Sequence, residues 1–189
     1  MNRCMISALL LFLVSCKTKE NADPSATNFF PVSSFLGSQV AMVDSSLNSI
    51  MKITTMDGKS DTTYLKKEEF RSQAADFLSL PDLSSDELKD KYTETKLYDQ
   101  ELKRVVLNYT PKEPNAPIRR QEVIIETGLN AGDKVETIYI DQLLENGDST
   151  VQKRLTWQVD RYFQVVTISN TNDTTEKIKI LRLVWNPNP

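Results

Sequence analysis

The side chains that most often carry catalysis or bind metals are scarce in this chain. It contains no histidine and only two cysteines, Cys4 and Cys16. Without histidine, Ser-His-Asp and Cys-His catalysis, His-ligated zinc and the usual pH switch near neutrality are excluded. The sequence therefore predicts no catalytic residue, no metal site and no cofactor, and we expect a protein that is not an enzyme.

Aspartate and glutamate remain as candidate acid–base groups. They occur in the close pairs Glu68/Glu69, Asp86/Glu87, Asp133/Glu136 and Asp141/Glu145. A glycosidase needs two carboxylates that face each other across a sugar, about 5 to 10 Å apart. Neighbours at helix starts and hairpins rarely meet that condition, so we interpret these pairs as solvated surface. A carboxylate-dependent glycan hydrolase stays a second alternative function.

The segment Ser49-Ile50-Met51-Lys52 has the spacing S-x-x-K. It is similar to the nucleophile motif of penicillin-binding enzymes, in which the lysine lies one helical turn from the serine. Neither S-D-N nor K-T-G accompanies it, and the segment is predicted as a strand or a helix end. We interpret the motif as a coincidence.

The first twenty residues contain a predicted targeting signal. Arg3 is followed by an apolar run of roughly ten residues, which is too short to span a bilayer and fits a secretory signal. Leu13-Val14-Ser15-Cys16 resembles the lipobox of bacterial lipoproteins. The resemblance implies cleavage between Ser15 and Cys16 and a covalent lipid on Cys16, which would tether the protein to a membrane. Residues 1–15 are then the signal peptide, and residues 16–29 are the lipidated cysteine and a flexible tether.

Residues 30–189 are predicted as a single α+β domain. Val32, Phe35, Leu36, Val40, Val43 and Leu47 recur at helical spacing, with Pro31 in the first turn and Phe29 and Phe30 as a staple. A hairpin is predicted at Asp57-Gly58, between this helix (about 31–48) and a second one (about 66–79).

The later part of the chain, mainly 93–186, is predicted as strands. In VQKRLTWQV, Val151, Leu155, Trp157 and Val159 alternate with Gln152, Arg154, Thr156 and Gln158. This alternation is typical of an antiparallel sheet with one buried and one wet face. A hairpin is predicted at ENGD, a loop at PKEPNAP, and a bulge or full burial between Ile180 and Leu181. The predicted fold is therefore two N-terminal helices packed on an antiparallel meander of about six strands.

Three triplets suggest a modification. Asp61-Thr62-Thr63, Asp148-Ser149-Thr150 and Asp173-Thr174-Thr175 resemble the O-glycosylation sites of some Bacteroidetes envelope proteins. Thr62, Ser149 and Thr174 are the candidate acceptors. All three are predicted in turns, although turns are rich in these residue types for other reasons.

The stretch FFPVSSFLGSQVAMVDSS, followed by DGKSDTTYLKKEEF, resembles a group of uncharacterised Bacteroidetes outer-membrane lipoproteins. They share a lipobox, an F-F-P-V opening and a D-G-K…L-K-(K/R)-E-(E/D)-F block. The resemblance implies an outer-membrane location, because Lys17 and not aspartate follows Cys16. Only Glu20 is acidic in the segment after the cysteine, which favours a periplasm-facing domain over one exposed at the cell surface. The resemblance implies no activity.

The net charge and the distribution of basic residues limit the functions that we expect. The formal net charge is −3 with no clustered basic face, so we expect no nucleic-acid partner. We expect a membrane-anchored envelope lipoprotein that acts as a non-enzymatic binding or assembly module, with a protein or glycan partner. The first alternative is a carrier of an apolar ligand between the helices and the sheet.

Overall fold

The computed structural model describes residues 29–128, 132–147, 149–171 and 174–186. Within these ranges the helices are α1 (Val32–Ser45), α2 (Lys67–Gln73) and α3 (Ala75–Leu78), and a 3-10 turn covers Lys89–Lys91. The strands are β1 (Ile50–Met56), β2 (Lys59–Leu65), β3 (Tyr92–Asp99), β4 (Arg104–Pro111), β5 (Ile118–Glu126), β6 (Lys134–Asn146), β7 (Ser149–Gln158), β8 (Tyr162–Thr171) and β9 (Thr174–Val184).

Helix α1 forms because one stripe of its surface is apolar. Val32, Leu36, Val40 and Val43 recur every three or four residues, and all four are buried. The ring of Phe30, just before the cap residue Pro31, lies 5.5 Å from the ring of Phe35, centroid to centroid. This contact is the predicted hydrophobic staple, and it fixes the start of the helix.

The second predicted helix is two short helices. The chain leaves α2 at Ala74 and resumes as α3, while Phe70, Ala74 and Phe77 stay buried on one side. At the start of α2 the backbone N–H of Lys66 donates to Oε2 of Glu69 across 3.1 Å. The helix predicted over 66–79 is therefore not continuous, although its two parts bury one common side.

All nine strands form one antiparallel sheet in the order β2-β1-β9-β8-β7-β6-β5-β4-β3. Strands β3 to β9 are a meander in chain order, and the hairpin β1–β2 joins it through pairing of β1 with β9. The predicted turn at Asp57-Gly58 is confirmed, with both residues at positive φ (50° and 75°). The predicted hairpin after Asn146 is also confirmed, since Asn146 pairs with Ser149.

The helices cover one face of the sheet, which we call the covered face. The ring centroid of Phe77 lies 5.1 Å from those of both Trp157 and Phe163, and that of Phe70 lies 5.5 Å from Trp185. At the edge of this layer, Nζ of Lys153 on β7 lies 2.6 Å from Oδ1 of Asp76 on α3. The two tryptophans are therefore core residues.

The predicted α+β class with a six-stranded meander is wrong. The protein is mainly β, with nine strands in one sheet and 19% helix within the described residues. No separate strand was predicted for β3, which is mostly exposed. The hairpin β1–β2 was predicted, but its place in the sheet was not, because that place depends on a long-range pairing with β9. Leu47, expected on the buried stripe, is 96% exposed because α1 ends before it. No bulge lies between Ile180 and Leu181. These two residues pair with consecutive residues of β1 on one side and of β8 on the other.

Candidate binding groove on the open face of the sheet

The face of the sheet opposite the helices, which we call the open face, carries two aligned rows of mostly polar side chains. Antiparallel pairing places residues of neighbouring strands directly opposite each other, and alternate residues share a face. The first row runs across β5 to β8 as Glu122, Tyr139, Thr156 and Gln164. The second row runs beside it as Arg120, Asp141, Arg154 and Val166.

These two rows line a groove of about 560 Å³ in the middle of the sheet. Its size falls in the range of small-ligand sites in proteins, about 300 to 1,000 Å³. Each of the four strands that form it is paired on both sides, so the floor of the groove is held by ladders of hydrogen bonds, with register shifts in the β5–β6 ladder at Ile118/Arg120 and Ile124/Ile125. We refer to it as the open-face groove.

The charges in the groove alternate in sign. Arg120 forms an ion pair with Glu122, and Oδ1 of Asp141 accepts a hydrogen bond of 2.9 Å from Nε2 of Gln152. Arg154 is exposed and has no hydrogen-bond or ion-pair partner among the described residues. Its guanidinium is therefore available to a ligand.

Tyr139 is the aromatic side chain of the groove, and 41% of its surface is exposed. Partial burial, followed by the nearby Tyr162, Glu136 and Glu122, raises the pKa of its hydroxyl. The hydroxyl therefore stays protonated at neutral pH and can both donate and accept a hydrogen bond. Tyr162 in turn makes a cation–π contact with Arg182, whose guanidinium carbon lies 4.1 Å from the centroid of the tyrosine ring.

Three buried polar atoms around the groove have no hydrogen-bond partner in the described structure. Oδ1 of Asn108 and Nε of Arg182 belong to residues that extend the first row at its two ends, beside Glu122 and Gln164. The third is Oε2 of Glu136, whose other oxygen accepts a 2.8 Å hydrogen bond from Arg104. Two further unpartnered atoms, Oδ1 of Asp44 and Nε1 of Trp157, lie on α1 and on the covered face. Buried polar atoms are normally paired, so the three on the open face indicate that water or a ligand completes their bonding.

The sequence predicted only part of this site. Arg154 and Thr156 were placed on the wet face of β7, which is confirmed. Their neighbours on β5, β6 and β8 were missed, because the alignment between strands cannot be obtained from one strand alone. The signal that pointed toward the groove was the alternation along β7.

The candidate modification sites lie at different places. Ser15 and Cys16 are outside the described residues. Thr62 lies within the edge strand β2, exposed and paired with Ile53, so the prediction that it lies in a turn is wrong. Ser149 is the first residue of β7 and is half-buried, and Thr174 is the first residue of β9. Both therefore lie in strands, each at the first position, so the prediction that they lie in turns is wrong for them as well.

The S-x-x-K segment does not have the geometry of a catalytic nucleophile. Lys52 lies in β1, and Ser49 precedes this strand. Ser49 and Lys52 are therefore not separated by one helical turn, as the catalytic motif requires.

Most of the paired carboxylates lie at the surface. Glu68 and Glu69 occupy the first turn of α2, and Asp86 pairs with Lys89 across 2.6 Å. There are two exceptions: Asp141 shares the open-face groove with Glu122, and Glu136 is half-buried and accepts a hydrogen bond from Arg104. Within the described ranges, no group of three Cys, Asp or Glu side chains is arranged to hold a metal ion.

The PKEPNAP loop connects β4 to β5 and borders a second, smaller groove of about 350 Å³. This groove is lined by Asn115, Pro117, Arg119 and Leu144, among others. Among the helices that the structure describes, none has the length and apolar character to cross a membrane. Comparison of the chain with family models, with characterised proteins and with solved structures finds no match.

Proposed function

We propose that this protein is a lipid-anchored lipoprotein of the outer membrane whose domain is a non-enzymatic binding module, and that the open-face groove is its contact surface. The observation that carries the proposal is the concentration of unpartnered polar groups on this face. Arg154 is exposed without a partner, and Asn108 and Arg182 each bury a polar atom that no described group satisfies.

The predicted lipid anchor, which is inferred from the sequence, supports the same proposal. The lipobox Leu13-Val14-Ser15-Cys16 and the resemblance to Bacteroidetes lipoproteins support a lipid on Cys16. A polar tether follows, which would let the domain stand away from the bilayer and face the periplasm. A binding module in this position meets envelope proteins and envelope glycans.

Site-specific photocrosslinking in the native cells tests this proposal. A benzophenone amino acid replaces Thr156 in the groove or, as the matched control, Ala41, which is exposed on α1 on the other side of the sheet. We expect irradiation to give crosslinked adducts from position 156 at several times the yield from position 41. Equal yields from the two positions, or no adduct from either, would contradict the proposal.

A glycan hydrolase is the second candidate, because Glu122 and Asp141 lie in the same groove. The chain would then release reducing ends from an envelope polysaccharide, and Asp141→Asn would abolish the release. The carrier alternative has less support. The described aromatic side chains between the helices and the sheet contact one another, with Trp157 and Phe163 stacked at 5.5 Å between centroids.

A further inference from the structure

We infer that the open-face groove binds an uncharged polysaccharide chain that lies across strands β5 to β8. The inference rests on the proposed function, since it names the class of ligand for the same site. It is carried by the charge balance, the free hydrogen-bonding groups and the position of the groove within the sheet.

The charges of the groove cancel. Arg120 and Arg154 contribute two positive charges, and Glu122 and Asp141 contribute two negative charges. Nucleic acids and acidic polymers are bound by surfaces with a clear excess of positive charge, and basic ligands by the reverse. A balanced groove favours a ligand without net charge.

The free groups of the groove match hydroxyls. Tyr139, Thr156 and Gln164 have no side-chain hydrogen bond to other described residues, and each side chain both donates and accepts. Arg154 only donates, and the carboxylate of Asp141 only accepts. A sugar hydroxyl can pair with any of these groups, because it is a donor and an acceptor at once.

The length of the first row suits a chain and not a single small molecule. Neighbouring strands are about 4.8 Å apart, so the four positions from Glu122 to Gln164 span roughly 14 Å. At the ends of this row, Asn108 and Arg182 continue the line of polar side chains, and each has one buried polar atom without a protein partner among the described residues. The ring of Tyr139 lies within the row, where it can stack on the apolar face of a sugar.

A peptide fits this position less well. Extended peptides bind by adding a strand to a sheet edge, or by inserting apolar side chains into pockets. Strands β5 to β8 have no free edge, since each is paired on both sides. Among the eight side chains of the two rows, Val166 is the one aliphatic side chain and Tyr139 the one aromatic side chain.

The test uses the full chain and a panel of probes in isothermal titration calorimetry. The neutral probes are cellohexaose, xylohexaose, maltohexaose, mannohexaose and chitohexaose, and the comparison probes are a galacturonate hexamer and an uncharged Ser/Thr/Gln-rich peptide. We expect at least one neutral hexasaccharide to bind with a Kd below about 1 mM. Binding to none of the five, or binding only to the acidic or peptide probe, would overturn the inference.

Two groove variants and one control identify the site. Tyr139→Ala removes the ring, and Thr156→Val removes a hydroxyl at nearly constant volume, so it keeps the test valid if the first variant folds poorly. We expect each to weaken binding by about tenfold, the effect of losing roughly 1.4 kcal/mol. The control Tyr64→Ala removes a tyrosine that is 78% exposed on the edge strand β2, and we expect its Kd to be unchanged. Unchanged binding in both groove variants would overturn the assignment to this groove.

The crosslinking experiment separates this inference from the proposed function. An adduct at position 156 whose added mass a glycosidase removes supports both. An adduct that a glycosidase leaves unchanged and that yields partner peptides in mass spectrometry supports the binding module but overturns the glycan as its ligand. The absence of any adduct at position 156 counts against both.

Discussion

The hydroxyl of Tyr109 donates a hydrogen bond to Oε1 of Glu94 across 2.8 Å and so connects β4 to the edge strand β3. The same hydroxyl accepts a 3.0 Å hydrogen bond from the backbone N–H of Phe30, and the ring of Phe29 lies 4.8 Å from the tyrosine ring, centroid to centroid. Nζ of Lys96 lies 3.1 Å from the other oxygen of Glu94. The segment that leads into α1 is therefore fixed to the sheet through one buried phenol.

Replacing Tyr109 by phenylalanine tests this connection. The ring and its packing stay, but the N–H of Phe30 and the carboxylate of Glu94 lose their partner. We expect the free energy of unfolding to fall by about 1 to 3 kcal/mol, since a buried hydrogen bond to a charged group is lost. Urea unfolding measures the loss. Tyr64→Phe is the control and should change stability by less than about 0.5 kcal/mol, because Tyr64 is exposed. Equal effects of the two substitutions would show that the hydroxyl of Tyr109 has no structural role.

The buried hydroxyl of Tyr109 also makes the free energy of unfolding depend on pH. Burial, together with the hydrogen bond to Glu94, raises the pKa of Tyr109 above that of an unfolded tyrosine, which is about 10. The unfolded chain therefore releases the proton first, and stability that is fully present below pH 10 is lost as the pH rises further. We expect the free energy of unfolding to fall above about pH 10, by up to about 1.4 kcal/mol per pH unit for this group.

Urea unfolding between pH 8 and pH 11 measures this slope in the wild type and in Tyr109→Phe. Tyr92, whose pKa is also raised by burial, stays in the variant, so we expect a shallower slope and not a flat one. Parallel pH profiles would contradict the assignment to Tyr109.

The aromatic layer between helices and sheet predicts a large effect at Phe77. This side chain is fully buried, with its ring 5.1 Å from both Trp157 and Phe163. We expect Phe77→Ala to cost about 3 to 5 kcal/mol in denaturant unfolding, because it opens a cavity under α3. Leu97→Ala, on the edge strand β3 and 66% exposed, should stay within about 0.5 kcal/mol of wild type. A loss at Phe77 no larger than at Leu97 would mean that the helices do not stabilise the covered face.

The sequence predicted helices, strands and turns well where the pattern of buried and exposed residues lies within one short segment. The stripe of α1 except Leu47, the staple at Phe30, the Asp57-Gly58 turn and the alternation along β7 are all local, and all are confirmed. Strand β3 was missed because an edge strand with one paired side buries little. Of its eight residues only Tyr92 is buried, so an apolar alternation is absent.

Long-range relationships were outside the reach of single-sequence reasoning. The pairing of β1 with β9 joins residues more than a hundred positions apart, for example Met51 and Val184. The open-face groove has the same origin, because Arg120, Asp141 and Arg154 become neighbours only through the register of three strands. A sequence pattern indicates which side chains are wet, but the pairing decides which wet side chains meet.

Two glycines in opposite settings give a matched pair of substitutions. Gly58 has a φ of 75° in the β1–β2 turn, a conformation that L-residues rarely adopt, so we expect Gly58→Ala to destabilise by about 1 kcal/mol. Gly37 lies within α1, and a Cβ added there would meet nothing within 4 Å. Gly37→Ala should therefore stabilise the protein by about 0.5 to 1 kcal/mol, because alanine has the higher helix propensity. Thermal unfolding of both variants measures the two shifts, and we expect them to have opposite signs. If Gly58→Ala were neutral, the left-handed turn between β1 and β2 would not be required for the hairpin.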